Sequence, residues 1–353
     1  MTLEPHVSEA ASPWMHEGAR DQDVVISSRV RLARNVKGFT FPDTMSETAG
    51  DRLIDAAAEA VGGLGPKWGF FRLKEARPVD LSVLVEKHLI SPQHAQAPRF
   101  HALGLTDDEG QAVMVNEEDH LRIQAFACGL DLEGAWEKAE KTDTALEEKL
   151  GWAFDDRLGF LTACPTNVGT GLRVSVMVHV PGLIVTEEGR QLMPVLAKMG
   201  IAVRGLFGEG TQPLGGVFQV SNQVTLGQSE AELLEGIAHV ALQIVGRERQ
   251  ARERLAKERM PELQDRVFRA RGILENARLL SAEEAIEKIS TLRLGREMGL
   301  VTKPRYETLE ALMVMSLPGY LERVSGQTLS RGERLALRAS LIRERLLSEE
   351  ADD

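Results

Sequence analysis

The sequence has few cysteines and no long apolar run, and both absences narrow the classes of protein to which it can belong. Its 353 residues include only Cys128 and Cys164, so we expect neither a disulfide framework nor a zinc site built from a Cys/His cluster. No stretch reaches the roughly 18 uncharged apolar residues that a membrane helix requires. The first residues also lack a basic segment followed by an apolar one. These features predict a cytoplasmic protein without a structural metal.

The common nucleotide-binding fingerprints are missing as well. There is no GxxxxGK[ST] loop, no strand-linked GxGxxG and no kinase-type His-Arg-Asp with Asp-Phe-Gly. The formal net charge of -11 argues against a protein that binds nucleic acid through its overall field. A nucleotide site in this chain would therefore have to replace the usual backbone cradle with cationic side chains.

The pattern along the chain predicts an α+β fold with three parts. Residues 1–22 are a polar N-terminal arm, and residues 23–255 mix strand-like runs with helices. Regular βαβ alternation is absent, so an antiparallel sheet flanked by helices is expected there. Residues 256–353 carry helical periodicity and predict an all-helical C-terminal domain. Ser229 and Glu232 form a capping box that predicts the start of a helix.

Five arginines lie in segments that otherwise have the pattern of buried structure. Arginine is always charged, and its planar fork of donors matches phosphate oxygens. Burying it without a partner is costly. These arginines are Arg29, Arg31, Arg122, Arg173 and Arg204. Together with nearby carboxylates, they predict a polyphosphate site with an acid/base partner.

The acidic segment from Asn116 to Arg122 admits two interpretations. An extended segment would place Glu118, His120 and Arg122 on one side, so that Glu118 takes a proton from a cationic substrate while Arg122 meets phosphate. Taken alone, the segment is more typical of a solvated acidic turn with Arg122 in a surface ion pair.

Cys164 and His88 are open to two interpretations each. A free cysteine is usually a small buried thiol. Because Cys164 precedes a Gly-rich loop, the functional interpretation is a thiolate beside a cationic substrate. A lone histidine such as His88 is more often structural than stacked on a base. The turn from Gly169 to Gly171 lets backbone approach a ligand closely.

Taken together, these segments resemble the phosphagen (ATP:guanido) kinase family. The runs Asn116 to Arg122 and Cys164 to Arg173, in that order, carry the resemblance. Within the family, the bacterial branch of protein-arginine kinases resembles this chain over nearly its whole length, for example from Val85 to Pro92 and from Gln219 to Gly227. The resemblance implies a phosphagen-kinase catalytic domain, with ATP and Mg²⁺ as cofactors.

The resemblance also implies roles for individual residues. Glu118 would be the base and a guanidinium anchor, Glu209 a second anchor, and Cys164 would flank the guanidinium. The residues implied to bind ATP are Ser27, Ser28, Arg29, Val30, Arg31, His88, Arg122, Arg173, Val174, Ser175, Val176, Met177, Arg204, Gly205, Leu206, Phe207 and Gly208.

Two departures from metabolic phosphagen kinases favour an arginine that belongs to a polypeptide. The run from Ser27 to Arg31 comes almost at the start of the chain, whereas metabolic relatives carry a helical domain before it. Gly210 and Thr211 follow Glu209, where those relatives have Glu-His-Thr. That helical domain supplies the loop enclosing a free guanidine substrate, so its loss would leave room for an arginine that belongs to a polypeptide.

A third departure concerns regulation. Related protein-arginine kinases carry an Arg-Asp-x-x-Arg-Ala motif that binds phosphoarginine, and here Arg334 and Arg338 are present while Leu335 stands at the aspartate position. Leucine cannot clamp a guanidinium, so we expect added phosphoarginine to change the rate little.

The resemblance predicts a kinase that transfers the γ-phosphoryl group of ATP to protein arginines. It further implies marking of proteins for a AAA+ protease, inactivation of a stress repressor, a zinc-containing activator, and a homodimer formed through the C-terminal domain. No nucleic acid or membrane partner is expected. Two alternatives remain open at this point: a free-guanidine (arginine) kinase, and a non-catalytic regulator that reads phosphoarginine.

Overall fold

The computed structural model describes residues 2–96, 100–186, 200–205 and 214–351. Its centre is an eight-stranded sheet in the order β2-β3-β4-β5-β1-β8-β10-β9, and a separate hairpin is formed by β6 and β7. The strands are β1 (Val25–Arg34), β2 (Trp68–Arg72), β3 (Ala102–Thr106), β4 (Gln111–Val115), β5 (Leu121–Cys128), β6 (Phe154–Asp155), β7 (Gly159–Phe160), β8 (Leu172–His179), β9 (Ile201–Gly205) and β10 (Val217–Asn222). Every neighbouring pair in the large sheet is antiparallel.

Helices cover both faces of this sheet and make up the C-terminal region. They are α1 (Glu4–Ser8), α2 (Glu47–Gly62), α3 (Pro78–Glu86), α4 (Pro92–Gln96), α5 (Leu132–Leu150), α6 (Pro181–Val185), α7 (Glu230–Glu258), α8 (Met260–Asn276), α9 (Ala282–Glu297), α10 (Tyr306–Met315), α11 (Pro318–Ser325) and α12 (Arg331–Ala351). The predicted α+β class, with an antiparallel sheet, flanking helices and a helical C-terminal region, is confirmed. None of the described helices is both long and apolar enough to cross a membrane.

The three long helices α2, α5 and α7 pack against one face of the sheet. Their starts are fixed by side-chain caps: Ser46 accepts from the Ala49 N–H, and Ser229 and Glu232 form the predicted capping box. The main core joins these helices to the alternate residues of β1 and β8, such as Val30 and Val174. This burial of a continuous apolar layer fixes the direction in which the other residues of those strands point.

The opposite face is covered over β2 to β5 by a second core. It contains Val7 of the N-terminal arm, Leu84 of α3, Met114 of β4 and Tyr320 of α11. The arm is also held by a buried ion pair between Lys87 and Glu109, which His6 and Ser12 join. Toward β1 and β8, the same face carries the charged side chains of the candidate site.

The C-terminal helices α8 to α12 enclose a third core that includes Val267, Leu312 and Ile342. Contacts with the rest of the chain are polar as well as apolar, since Arg293 of α9 donates to the backbone oxygen of Gln22 at 3.0 Å. Helix α7 runs through the predicted boundary between residues 255 and 256 and ends at Glu258. The three-part division stays a prediction.

Candidate active site

Three of the predicted site arginines and one serine lie side by side on two central strands, β1 and β8. Arg31 of β1 pairs in register with Arg173 of β8, and Arg29 pairs with Ser175. Residues directly opposite each other on antiparallel strands project from the same face of the sheet. The two adjacent strands therefore present three guanidinium groups to one side.

The other two arginines belong to the same face. Met177 of β8 pairs with Gln219 of β10, which in turn pairs with Arg204 of β9. Arg122 of β5 pairs with Ala33, two residues beyond Arg31 on β1. Since side chains alternate with a period of two along a strand, all five arginines project from one surface. We call this surface the arginine face.

The guanidinium groups of the arginine face repel one another because they lie close together. Burial, followed by the neighbouring charges of Arg122, Arg173 and Arg204, lowers the pKa of Arg29 to about 10. Burial and the charges of Arg122, Arg173 and Arg29 likewise hold the pKa of Arg31 well below its usual value. A polyanion bound here would relieve this repulsion, because each guanidinium would gain an opposite charge.

Arg122 is held at the edge of the arginine face by two glutamates. Its Nη1 lies 2.6 Å from Glu117 Oε1, and its Nη2 lies 3.0 Å from Glu118 Oε2. The Glu117 side chain is 5% exposed, and burial works to raise its pKa, but Arg122 and the Ser91 hydroxyl outweigh burial and the net shift is downward. Glu118 is 42% exposed. Glu117 is thus committed to positioning Arg122, while Glu118 is accessible to a substrate.

The predicted extended geometry of the acidic segment is wrong. Asn116 has a positive φ of 61°, and its N–H donates to the His120 carbonyl, so the segment is the tight turn between β4 and β5. His120 is buried away from Glu118, where its Nδ1 accepts from the Val36 N–H and its Nε2 donates to Thr40 O. The alternative of a surface ion pair also fails for Arg122, whose side chain is 6% exposed.

Asp119 links this turn to the loop that carries Cys164. Its Oδ1 accepts from the Ala163 N–H at 2.7 Å and from Asn35 Nδ2 at 2.6 Å. Asn35 also donates to Leu161 O and accepts from the His120 N–H. Burial raises the pKa of Asp119 although both hydrogen bonds act against it. Glu118 is thus next in sequence to Asp119, Cys164 is next in sequence to Ala163, and a partly buried hydrogen bond joins Asp119 to Ala163.

Sequence reasoning missed the roles of Asp119 and Asn35. The available signal was the run of three acids, since three adjacent carboxylates cannot all face Arg122 and one of them needs another partner. Asn35 gave no comparable signal, because its partners are distant in the chain and only the fold brings them together.

The loop after Cys164 is fixed by hydrogen bonds on both sides. Cys164 Sγ lies 3.0 Å from Thr166 Oγ1, and the Thr225 hydroxyl donates to Thr166 O at 3.0 Å and to Val168 O at 2.6 Å. At Gly171, with φ 64°, an added Cβ would lie 2.6 Å from the Ala33 carbonyl oxygen. The close packing of this loop on β1 explains the glycine and sets the start of the strand that carries Arg173.

A pocket beside Arg29 opens on the arginine face. It is partly open to solvent and is lined by Ser27, His88, Ser175 and Met177, among others. His88 has a positive φ of 59°. Burial, with a smaller effect of Arg29, lowers the pKa of His88 to about 4, so that its ring is neutral at pH 7. The pocket offers a planar, uncharged side chain next to the arginine face.

Four residues implied to bind ATP place their side chains elsewhere, so only their backbones could contribute to the predicted site. Val30, Val174 and Val176 lie in the main core on the opposite face, as the strand alternation requires. The Ser28 hydroxyl also lies on that side, donating to Gly129 O at 2.8 Å and accepting from the Asp131 N–H. The list of ATP-binding residues implied by the resemblance includes whole strand segments, although only alternate residues of a strand share a face of the sheet.

The glycine-rich run after Arg204 is only partly within the described structure. Gly205 ends β9 and is buried. Leu206, Phe207, Gly208 and Glu209 lie outside the described residues, so their predicted roles stay predictions.

The two C-terminal arginines differ in their surroundings. Arg338 is 4% exposed, and its Nε and Nη1 donate to Ser316 O and Leu280 O, each at 2.7 Å. Arg334 is 37% exposed and lies 3.2 Å from Glu322 Oε1. In this arrangement the Arg338 guanidinium ties α12 to neighbouring backbone, and Arg334 is the more accessible of the two.

A metal ion at this site would come with the phosphates. Within the described ranges, no group of three or more His, Cys, Asp or Glu side chains is arranged to hold a metal ion. Mg²⁺ commonly binds to substrate phosphates with few protein ligands. The arginine face is thus suited to a nucleotide that already carries its metal.

Comparison with known proteins gives two matching family models. One is the ATP:guanido phosphotransferase C-terminal catalytic domain, which matches residues 53–251. The other is the protein-arginine kinase McsB C-terminal domain, which matches residues 260–353.

Full-length relatives and solved structures agree with these models. A protein-arginine kinase of Symbiobacterium thermophilum is 46% identical over 96% of this chain and 98% of its own length, and one of Geobacillus thermodenitrificans is 42% identical over 99% and 98%. The duplicated taurocyamine kinase of Schistosoma mansoni, at 26% identity and a TM-score of 0.60, matches 71% of this chain, which spans 35% of that enzyme. A lombricine kinase shares the fold at 22% identity and a TM-score of 0.59, over 69% of this chain and 72% of its own.

The resemblance inferred from the sequence is therefore confirmed by similarity over nearly the whole chain. The chain belongs to the protein-arginine kinases, a branch of the ATP:guanido phosphotransferase family, and is an ATP-using phosphotransferase.

Proposed function

We propose that this enzyme transfers the γ-phosphoryl group of MgATP to arginine side chains of proteins. The observation that carries the proposal is the arginine face, where Arg29, Arg31 and Arg173 lie together and Arg29 lines a pocket. Glu118 lies at its edge, exposed and bonded to Arg122. The relatives that match nearly the whole chain are protein-arginine kinases, which supports the same acceptor here.

The proposed reaction assigns distinct tasks to the two ends of the site. The cations of the arginine face hold the phosphates and stabilise the charge that develops during phosphoryl transfer. Glu118 accepts a proton from the acceptor guanidinium, whose pKa above ~12 otherwise makes it a poor nucleophile. The freed nitrogen lone pair then forms the N–P bond as the bond between the γ-phosphorus and the bridging oxygen breaks, and ADP leaves with that electron pair.

Cys164 is proposed to flank the acceptor guanidinium. Asp119 joins the turn of Glu118 to the backbone just before Cys164, which supports placing both residues at one acceptor site. A rigid arrangement of this kind favours transfer because it holds the acceptor close to in-line geometry.

Exposed apolar side chains beside the Cys164 loop support a polypeptide acceptor. Leu158 is 48% and Leu226 is 51% exposed. Their backbones meet at Gly169, since an added Cβ at Gly159 would lie 2.4 Å from Gly169 O and one at Gly169 would lie 2.9 Å from Leu226 Cα. Free arginine has no apolar neighbours to occupy such a surface, whereas an arginine in an unfolded segment does.

A transfer assay tests this proposal against the two alternatives. The purified protein is incubated with MgATP and either unfolded casein or free arginine. Acid-labile phosphate on casein, with at least ten times less on free arginine at equal guanidinium concentration, is the expected result. Preferential transfer to free arginine would indicate a free-guanidine kinase, and absence of transfer to both would indicate a non-catalytic regulator.

The finer biological roles are also proposals. Family resemblance supports an ATP-containing cytoplasm as the location, marking of damaged proteins for a AAA+ protease, inactivation of a stress repressor and a zinc-containing activator. Homodimerisation through the C-terminal helices is supported by exposed apolar side chains there, including Phe268 and Leu347 at 52% and 60%. Light scattering at several protein concentrations tests the dimer, with a single monomeric mass as the contradicting result.

A further inference from the structure

The pocket beside Arg29 is built from two parts of the chain that match different family models. Ser27 and Met177 come from the sheet, whereas Glu310 and Met313 come from α10. Helix α10 lies within residues 260–353, outside the matched catalytic domain that ends at residue 251. A ligand filling this pocket would therefore touch the C-terminal region directly.

The direction in which a nucleotide would lie follows from the arginine face. Arg29 marks the phosphate end, because Arg31 and its strand partner Arg173 follow it on the same face. Ser27 precedes Arg29 by two residues on β1, on the side away from Arg31, and lies roughly 7 Å from it at the rise of an antiparallel strand. Ile26, Val217 and Glu310 line the pocket, and all three also line a second cavity that Arg29 does not reach, which groups them away from Arg29. The base of a nucleotide whose phosphates contact Arg29 would point toward Glu310.

Glu310 is the pocket carboxylate that retains capacity to accept a hydrogen bond. Both oxygens of the other one, Glu86, accept from backbone N–H groups of Gly319 and Tyr320, at 2.6 and 2.8 Å. Glu310 Oε1 accepts from Arg293 Nη1, and among the described residues no group donates to Oε2. A carboxylate with one oxygen anchored and the other available is suited to fix a donor on a ligand.

We propose that Glu310 accepts a hydrogen bond from the 6-amino group of adenine and so selects adenine over guanine nucleotides. This inference rests on the proposed function, because it places ATP in the pocket. Adenine presents an amino donor at the position where guanine presents an oxygen acceptor. A carboxylate favours the donor and repels the acceptor, which provides attraction and discrimination at once.

Binding measurements on the full-length protein test this proposal from the protein side and the nucleotide side. MgATP, MgGTP and the Mg²⁺ complex of purine riboside triphosphate, which lacks the 6-amino group, are titrated into the unmodified enzyme, Glu310→Gln and Glu307→Gln. Glu307 carries the same charge on the same helix and does not line the pocket, so it is the matched control. Thermal unfolding of each variant confirms that the fold is intact.

The unmodified enzyme and the control should bind ATP at least about ten times more tightly than purine riboside triphosphate, the size expected for a hydrogen bond to a charged group. In Glu310→Gln that ratio should shrink several-fold, and GTP affinity should rise relative to ATP because an amide can donate to the guanine oxygen. Equal ratios in all three proteins would overturn the inference about Glu310. Absence of ATP binding to the unmodified enzyme would instead overturn the proposed function.

Discussion

Asp119 Oδ1 accepts a hydrogen bond from the backbone N–H of Ala163 at 2.7 Å, and this bond joins the turn that carries Glu118 to the loop that carries Cys164. The Asp119 side chain is buried and the bond itself is partly buried, which favours a fixed distance between the two segments. In the proposed mechanism, Asp119 is a positioning residue that sets the relation between the base and the loop beside the acceptor guanidinium.

Replacing Asp119 should therefore reduce turnover more than nucleotide binding. We expect Asp119→Ala to lower kcat by roughly 100-fold, the effect of a misplacement of about 1 Å, while ATP affinity stays within a few-fold. Asp119→Asn keeps an oxygen that can accept from Ala163 and should recover much of the rate. Steady-state kinetics and ATP titration of both variants provide the check, and equal losses in the two variants would contradict a positioning role.

Substitutions of Glu118 and Glu117 should have different effects on activity, although both side chains form ion pairs with Arg122. Glu118→Gln removes the proposed base and should lower kcat by ~100- to 10,000-fold with little effect on folding, because the side chain is 42% exposed. Glu117→Gln is the control: it should mainly weaken ATP binding by releasing Arg122. Turnover of purified Glu118→Gln at the level of the unmodified enzyme would rule out its assignment as the base.

The arginine face should account for most of the affinity for MgATP. Arg31→Ala removes charge-assisted hydrogen bonds to phosphate, each worth about 1.5–3 kcal/mol, so affinity should fall at least tenfold. Arg20→Ala is a suitable control, since the Arg20 side chain is 69% exposed and lies outside the pocket. Calorimetric titration with a non-hydrolysable ATP analogue makes the comparison. If Arg31→Ala bound the analogue as tightly as Arg20→Ala and the unmodified enzyme, Arg31 would have no role in binding phosphate.

Glu86 should make folding stability depend on pH near neutrality. Burial raises its pKa from 4.5 to about 7, even though the Gly319 and Tyr320 N–H groups donate to it. A raised pKa means that the stabilisation is full below pH 4.5 and is lost as the pH rises to about 7.

Glu86→Gln stays neutral, so the stability of the unmodified protein relative to this variant should fall between pH 4.5 and 7.5, by an amount on the order of 2–3 kcal/mol. Thermal melts of both proteins across that range give the measurement. A constant difference would mean that Glu86 is ionised throughout.

Arg338 should matter for stability and Arg334 should not. Arg338→Ala leaves the buried carbonyl groups of Ser316 and Leu280 without their donor, at a cost of about 2–4 kcal/mol in the free energy of unfolding. Arg334→Ala removes a half-exposed ion pair with Glu322 and should cost less than about 1 kcal/mol. Urea unfolding of the two variants separates these roles. A small loss of unfolding free energy in Arg338→Ala would indicate that the Arg338 guanidinium is not needed for stability and would favour a regulatory role for it.

The strand alternation and the capping signals allowed much of the fold and the arginine face to be predicted. The period of two placed Arg29 and Arg31 on one face, and the motif order indicated the family. The same alternation, applied consistently, would have removed Val174 from the ATP-binding set, because its neighbour Arg173 takes the opposite face.

Other features of the site could not be read from the sequence because they depend on distant contacts. The turn at Asn116 requires a positive φ that the amino-acid sequence does not specify. Because of this turn, the His120 side chain is buried. The Asp119–Ala163 hydrogen bond joins residues that are 44 positions apart in the chain. Glu310 lines the pocket although it belongs to the region matched by the C-terminal family model. Arg34 looks like the five site arginines in sequence, yet its fork is occupied by Asp143.

The most direct test of the central claim is phosphorus NMR of the reaction product. The enzyme, MgATP and an unfolded acceptor protein with a single arginine are incubated together, and the phosphorylated acceptor is isolated without acid. We predict a phosphorus–nitrogen resonance on the acceptor that disappears after mild acid treatment and is absent when the arginine is replaced by lysine. An acid-stable phosphate ester, or no resonance on the acceptor while free arginine is phosphorylated, would contradict this account.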